Sequence, residues 1–146
     1  MFKKLLVVSS LGLLCCCPLN IVAQEPGNNL GKSYYQCYKE WGGSMYYIGN
    51  SEKGNEYIIH SDGMDIYFTF RNDRLVDELL LVASRNGFAR QCYDNFRGTF
   101  VNESNYQKAE QYTNMVVLYY SYFKIEIAYM VNDAGEEQCW LHYLYK

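Results

Sequence analysis

The chain has 146 residues, a net charge of −3 and six cysteines, and 49% of its residues are hydrophobic. This length is enough for one hydrophobic core and short for two ordinary independent domains. Mild acidity without a basic cluster argues against nucleic-acid binding, whose affinity comes largely from Lys and Arg on phosphates. It argues equally against docking on an anionic membrane surface.

Residues 1–23 are predicted to be a secretory signal peptide. Lys3 and Lys4 form a positive start, and the apolar run over residues 5–17 is too short to span a bilayer comfortably. Cleavage is expected before Gln24. A membrane anchor is one alternative. A lipoprotein is another alternative, because the run ends with three cysteines, Cys15, Cys16 and Cys17. Lipid attachment, however, normally requires a small residue just before the cysteine.

The remaining chain is expected in the periplasm or outside the cell, with no membrane span after signal removal. Removal of Lys3 and Lys4 leaves 11 of the 13 basic side chains and all 16 acidic ones, so the net charge becomes −5. Residues 24–29 are a polar leader that we expect to be flexible. The Lys-Lys start and the cleavage before Gln are similar to those of envelope proteins from Bacteroides-type bacteria.

A motif that occurs twice predicts an internal repeat. Gln-Cys-Tyr begins at Gln36 and again at Gln91, 55 residues later. Each copy is followed by two polar residues, an aromatic residue, one further residue, a glycine and a hydroxyl residue. A period in this range usually marks a duplicated supersecondary unit. We therefore predict one α+β domain over residues 30–146, made of two repeats at about 30–84 and 85–146.

Both copies of the motif are predicted to lie on helices. In the first, apolar residues recur at helical spacing over residues 30–41, and Gly42-Gly43 ends the helix. In the second, one face runs from Phe88 to Phe96, and Gly98 ends the helix. The motif cysteines then fill space between helix and sheet. A catalytic cysteine would need a partner base and a lowered pKa.

Strand-forming segments follow each helix. Residues 65–71 and 124–131 alternate between apolar and polar side chains, which is typical of half-buried strands. Each unit is therefore read as helix-strand-strand-strand, and two units can share one antiparallel sheet of about six strands, with both helices on one face. The second unit carries about five extra residues in a loop near residues 102–112, where function is often found.

Cysteine and histidine usage limits the chemistry. After signal removal three cysteines remain, and an oxidising compartment permits one disulfide. Cys92 with Cys139 is our first choice because both belong to the second repeat, while a bond to Cys37, or none, stays open. The two histidines, His60 and His142, have no zinc-type spacing, and no phosphate loop or nucleophile elbow is present. We expect no metal, no cofactor and no enzyme activity.

The uncovered face of the sheet is the expected binding site. The chain contains 16 tyrosines, whose large area and polar tip suit recognition surfaces. The alternative is that these aromatic residues only form strands and core. The candidates for the uncovered face are Tyr67, Tyr120, Tyr122, Trp140 and His142.

In element order, from about residue 30 to residue 145, the chain resembles the beta-lactamase inhibitor protein and the PepSY-like proteins of Bacteroides-type bacteria. That resemblance implies a concave sheet face that grips a partner protein, and it carries over no individual residue. We predict an exported, non-catalytic module that binds another exported or envelope protein, inhibitor-like or immunity-like. The alternatives are an accessory envelope protein with weak ligand binding and an unrecognised hydrolase.

Overall fold

The computed structural model describes residues 29–41, 43–61, 63–101 and 106–146. The predicted signal peptide, its cysteines and residues 24–28 of the leader lie outside the described residues. The described elements are α1 (Tyr34–Glu40), β1 (Tyr46–Ser51), β2 (Gly54–Ser61), β3 (Met64–Arg71), β4 (Arg74–Ser84), α2 (Phe88–Val101), β5 (Lys108–Gln111), β6 (Met115–Tyr119), β7 (Phe123–Val131) and β8 (Glu137–Tyr145).

The strands form one antiparallel sheet of eight strands in the order β1-β2-β3-β4-β8-β7-β6-β5. Each helix precedes four strands that lie side by side, and the two groups meet where β4 pairs with β8. The predicted α+β class is confirmed, with eight strands in place of about six. Neither of the two described helices is long and apolar enough to cross a membrane.

One strand lies where the sequence predicts a loop. Within residues 102–112, the segment Lys108–Gln111 forms β5 and pairs with Val116–Tyr119 of β6. Its sequence, Lys-Ala-Glu-Gln, contains neither a β-branched nor an aromatic residue, so local propensity does not favour a strand. Backbone pairing with β6 holds this segment as a strand instead. The prediction of a loop is therefore wrong at these four residues.

α1 is shorter than the helix predicted over residues 30–41. Ser33 caps it: the Ser33 hydroxyl accepts from the Gln36 amide at 3.3 Å, and the Gln36 side-chain oxygen accepts from the Ser33 amide at 2.9 Å. Such a reciprocal capping box defines a helix start. At the other end Gly43 adopts a left-handed φ of +77° and donates to the Tyr38 carbonyl. The predicted glycine stop is confirmed at Gly43.

α2 continues through Gly98, so the prediction that this glycine ends the helix is wrong. The physical reason lies in the last turn. Phe100 and Val101 pack against the core, and the Phe100 ring meets the Tyr143 ring edge-on at 6.3 Å. Burying these side chains outweighs the cost of one glycine inside a helix, which is about 1 kcal/mol.

Both helices cover the same face of the sheet, which we call the covered face. The Trp41 ring, directly after α1, lies 5.8 Å from Phe68, and Phe100 of α2 contacts Tyr143. Phe68 and Tyr143 are both cross-strand neighbours of Glu78, so they project from the same side. The hydrophobic core lies between this face and the helices. We call the opposite side the open face.

The start of the described chain is attached to β4. Asn29, which the sequence places at the end of the flexible leader, is fully buried, and its side-chain amide donates to the Glu78 carboxylate at 3.3 Å. Gly31 donates to the Leu75 carbonyl at 2.8 Å, and Leu75 donates to the Lys32 carbonyl at 2.9 Å. Assigning Asn29 to the leader is therefore wrong, because a buried carboxylate holds its side chain in place.

The three cysteines of the described residues are buried, Cys37 and Cys92 on the helices and Cys139 on β8, and none of them is in a disulfide. The predicted bond between Cys92 and Cys139 is therefore not formed in this structure. Burial, followed by the charge of Glu78, raises the pKa of Cys37 to about 12. Burial, followed by the proximity of Cys92, also raises the pKa of Cys139. Thiols that stay protonated in this way act as small apolar side chains.

Candidate functional site

Three rows of side chains cross the open face, each aligned by strand pairing from β3 to β6. The middle row is mixed, a second row is largely apolar, and the third is largely polar. In that order the rows are Tyr67, Leu79, His142, Glu126 and Val117; Asp65, Leu81, Trp140, Ala128 and Met115; and Thr69, Asp77, Leu144, Lys124 and Tyr119.

A line of ionisable side chains, which we call the polar chain, runs across this face through Lys53, Asp77, His142, Glu126 and Lys124. The Asp77 carboxylate lies 3.3 Å from Lys53 Nζ and 2.6 Å from His142 Nε2. The Glu126 carboxylate lies 3.5 Å from His142 Nδ1 and 2.6 Å from Lys124 Nζ. The polar chain thus links the β1–β2 turn with β4, β8 and β7.

Asp77 is the most buried carboxylate of the polar chain. Burial alone opposes its ionisation and is the largest single influence on its pKa. The hydrogen bond and charge of His142, together with the Lys53 ammonium, outweigh burial and hold the pKa of Asp77 below its ordinary value. Asp77 is therefore a fixed negative charge within a largely buried setting.

His142 lies between two carboxylates. Its Nε2 faces Asp77 and its Nδ1 faces Glu126. A general base needs a ring nitrogen within reach of the proton that it removes from a substrate. Each nitrogen of His142 faces a protein carboxylate. This geometry suits a structural role, in which the imidazole links β4, β7 and β8, better than a role in proton transfer.

A cavity of about 200 Å³ opens beside the polar chain. Burial, followed by the charge of Asp65, raises the pKa of the Tyr67 hydroxyl at its wall. The side-chain carboxylate of Glu56, also at the wall, has no hydrogen bond or ion pair with any other residue that the structure describes. The lining residues are Lys53, Glu56, Tyr67, Phe68, Thr69, Asp77, Leu79 and His142.

The structure brings three of the five predicted residues to the open face. Tyr67 and His142 are neighbours of Leu79 in the middle row, and Trp140 lies beside Leu81. They project from the same face because the register of β4 with β3 and β8 aligns them.

The other two predicted residues lie elsewhere. Tyr120 is buried and stacks on Phe123 at 4.5 Å, within the core. Tyr119 occupies the open-face position of β6, so alternation directs Tyr120 to the covered side, and assigning it to the open face is wrong. Tyr122 lies in the turn between β6 and β7, 73% exposed.

Sequence reasoning missed the charged members of the site. Asp77 lies in a segment, residues 75–83, that is apolar apart from Asp77 and Glu78. Acidic residues inside such a segment are a signal, because a buried charge needs a partner. The partner, His142, lies 65 positions further along the chain, so no local pattern indicates it.

The fold and site define an α+β protein whose sheet has one face that no described helix covers and that the polar chain crosses. Comparison with protein-family models, curated proteins and solved structures finds no match to this chain. Among the residues that the structure describes, no three His, Cys, Asp or Glu side chains are grouped so that they could hold a metal ion.

Proposed function

We propose that this protein is an exported, non-catalytic module that binds another exported or envelope protein through its open face, as an inhibitor or an immunity protein does. The cavity beside the polar chain carries the proposal. Its volume of about 200 Å³ lies below the roughly 300–1,000 Å³ typical of small-molecule sites. A cavity of this size on an open sheet suits one side chain of a docked protein.

The composition around the cavity supports this proposal. Trp140 and Tyr67 are half-buried beside Leu79 and Leu81, and charged groups surround them. Aromatic anchors in a patch with polar margins are the usual composition of interface hot spots. The polar chain holds the patch in one arrangement before the partner arrives, which reduces the entropy cost of binding.

The cavity wall also suggests the chemistry of the bound group. Glu56 contributes a carboxylate that pairs with no other described side chain, whereas Asp77 is already bound by His142 and Lys53. A partner side chain that enters with a hydrogen-bond donor would therefore meet Glu56 as its acceptor. Tyr67 offers a ring face to the apolar part of that side chain.

The two-repeat organisation is part of the same proposal. Each described helix buries the cysteine of its Gln-Cys-Tyr motif, and each is followed by four neighbouring strands. The last strands of the two groups, β4 and β8, lie together at the centre of the sheet. The duplicated units would therefore join at the open-face site, where Asp77 of one unit meets His142 of the other.

The test begins with capture from the envelope fraction of the source cells, followed by calorimetry on the purified partner. We compare the parent with a Tyr67→Ala/Trp140→Ala variant and with Tyr122→Ala, an exposed tyrosine away from the cavity. Loss of hot-spot residues is expected to weaken binding at least about 30-fold, since hot spots contribute about 2 kcal/mol or more each. The control should bind as the parent does.

An unchanged dissociation constant for the double variant, with parent-like circular dichroism, would exclude the open face as the binding site. Binding that weakens equally in the double variant and in Tyr122→Ala would also contradict the proposal, because the loss would then not depend on the cavity. Turnover of an envelope-derived substrate that Asp77→Asn abolishes would favour the hydrolase alternative.

A further inference from the structure

The two edges of the sheet differ in their chemistry. β5 is a four-residue edge strand on which Lys108 and Glu110 form an ion pair. Short edges with charged side chains are the usual protection against pairing with another chain. β1, at the opposite edge, has six residues and no charged side chain, and its sequence is Tyr-Tyr-Ile-Gly-Asn-Ser.

The unprotected edge carries exposed apolar side chains on both faces. Tyr46, Tyr47 and Ile48 are 63%, 59% and 49% exposed. Tyr46 lies in register with Ile58, on the open face, and Tyr47 contacts the Tyr57 ring at 5.4 Å on the other side. The outer side of β1 has no neighbouring strand in the described sheet, so its backbone presents amide and carbonyl groups for pairing.

The apolar surface extends onto α1. Tyr38 lies close to Gly43, just before β1, and Tyr35 shares its side of the helix because it is three residues earlier. Aromatic side chains bury roughly 150–250 Å² each, so these exposed groups amount to on the order of 500 Å² per copy. Complete burial of these groups on two copies would amount to about 1,000 Å², which is an upper bound and is the size at which specific interfaces begin.

We propose that two copies of this chain associate by antiparallel pairing of their β1 strands, which would join their sheets into one. Identical strands that pair antiparallel are related by a two-fold axis, so the contact closes as a dimer. The chain carries a net charge of −3, and copies repel unless the contact is uncharged. The absence of charge on β1 fits a second copy better than a partner of opposite charge.

The β-bulge in β1 sets the position of the contact. The register with β2 shifts between Tyr47 and Gly49, so Ile48 is the extra residue of the bulge and the regular edge ends at Tyr47. We therefore place the two-fold axis at Tyr47, the last regular residue before the bulge. In this arrangement Tyr47 faces Tyr47 of the second copy. Cross-strand aromatic pairs of this kind stabilise antiparallel sheets.

Sedimentation equilibrium of the purified protein tests this proposal. The parent is expected to form dimers at micromolar concentrations, and Tyr47→Lys/Ile48→Lys should weaken association at least 100-fold, because lysines on an edge strand oppose pairing. Tyr122→Lys, which changes a more exposed tyrosine in the β6–β7 turn, is the matched control and should dimerise as the parent does. Circular dichroism and melting temperature show whether each variant folds.

Three outcomes would overturn the proposal: a parent that stays monomeric up to about millimolar concentration, a double variant that still dimerises, or species that grow beyond the dimer. If the parent is monomeric, the alternative is that an extended segment of another protein pairs with β1. The proposed β1 contact includes neither Tyr67 nor Trp140, so Tyr67→Ala/Trp140→Ala should leave dimerisation unchanged, and the proposed function can fail without affecting this result.

Disulfide trapping keeps the test decisive if the lysine variant does not fold. Tyr47→Cys would place one thiol of each copy at the two-fold axis, and mild oxidation with oxidised glutathione should link the two copies covalently. Gln111→Cys, an exposed position on the β5 edge, and the unmodified parent are the controls. Equal linking in Tyr47→Cys and Gln111→Cys would contradict a specific β1 contact.

Discussion

Asp77 and Glu78 are successive acidic residues of one strand, yet they belong to opposite faces of the sheet. Glu78 is fully buried on the covered face, where the Asn29 amide binds it. Asp77 lies on the open face, where His142 and Lys53 bind it beside the cavity. The Glu78 carboxylate attaches the start of the described chain to the core. The Asp77 carboxylate belongs to the polar chain that crosses the open face.

This difference shows that the two faces of one strand can serve different purposes, one in stability and the other in recognition. Side chains of the covered face lose contact with water, so their loss leaves cavities or unpaired groups. Half-buried side chains of the open face, such as Tyr67 and Trp140, keep part of that contact, so their loss costs less and changes mainly what the surface can bind. Substitutions on the two faces are therefore expected to differ in unfolding free energy.

The largest expected effect contrasts two neighbours on β3. Phe68 is fully buried, and Phe68→Ala should lower the free energy of unfolding by about 3–5 kcal/mol. Tyr67→Ala removes a half-buried ring from the open face and should cost about 1 kcal/mol. Urea denaturation measures both. Costs of equal size would show that the open face is packed like the core.

A smaller contrast compares two donors to carboxylates. Asn29→Ala takes a hydrogen bond from the buried Glu78 and should cost about 1–3 kcal/mol. Lys124→Ala takes an ion pair from Glu126 on the open face and should cost no more than about 1 kcal/mol. Thermal unfolding at neutral pH resolves the two. The comparison fails if the lysine variant is the less stable one.

The smallest effect concerns pH. The pKa of Asp77 is lowered in the folded protein, so its stabilisation is complete above its ordinary value of 3.8 and is lost as pH falls through the lowered value. Asp77→Asn should therefore lower stability at pH 7 and flatten the decline of stability in acid. Unfolding free energies from pH 7 to pH 2 measure this. Asp133→Asn, at an exposed turn, is the control.

Local patterns predict the helices and most of the sheet. The apolar spacing around Cys37 and Cys92 identifies the helix faces that contact the core. Asn72 and Asp73 are residue types that favour tight turns, and both have the positive φ that a type I′ hairpin turn requires. Local patterns fail at two places. At Gly98 the packing of the following turn keeps the chain helical, and at β5 pairing with β6 makes the segment a strand.

The binding site is less predictable than the fold. Trp140 and His142 are recognisable as residues of one strand face, because alternation within β8 is a local property. Tyr120 is not recognisable as core, since its side depends on where β6 ends its pairing with β7. The polar chain is invisible in the sequence, because its members come from a turn and three strands that only the sheet brings together.

The sequence by itself determined an α+β domain, the helix faces that bury Cys37 and Cys92, and the alternation of the strands, since each depends on residues within one or two turns of one another. Only the tertiary structure decided that β4 pairs with β8, which side of the sheet stays uncovered, and which edge is unprotected. The physical reason is register. A shift of one residue exchanges the two faces of a strand, and long-range packing selects between them.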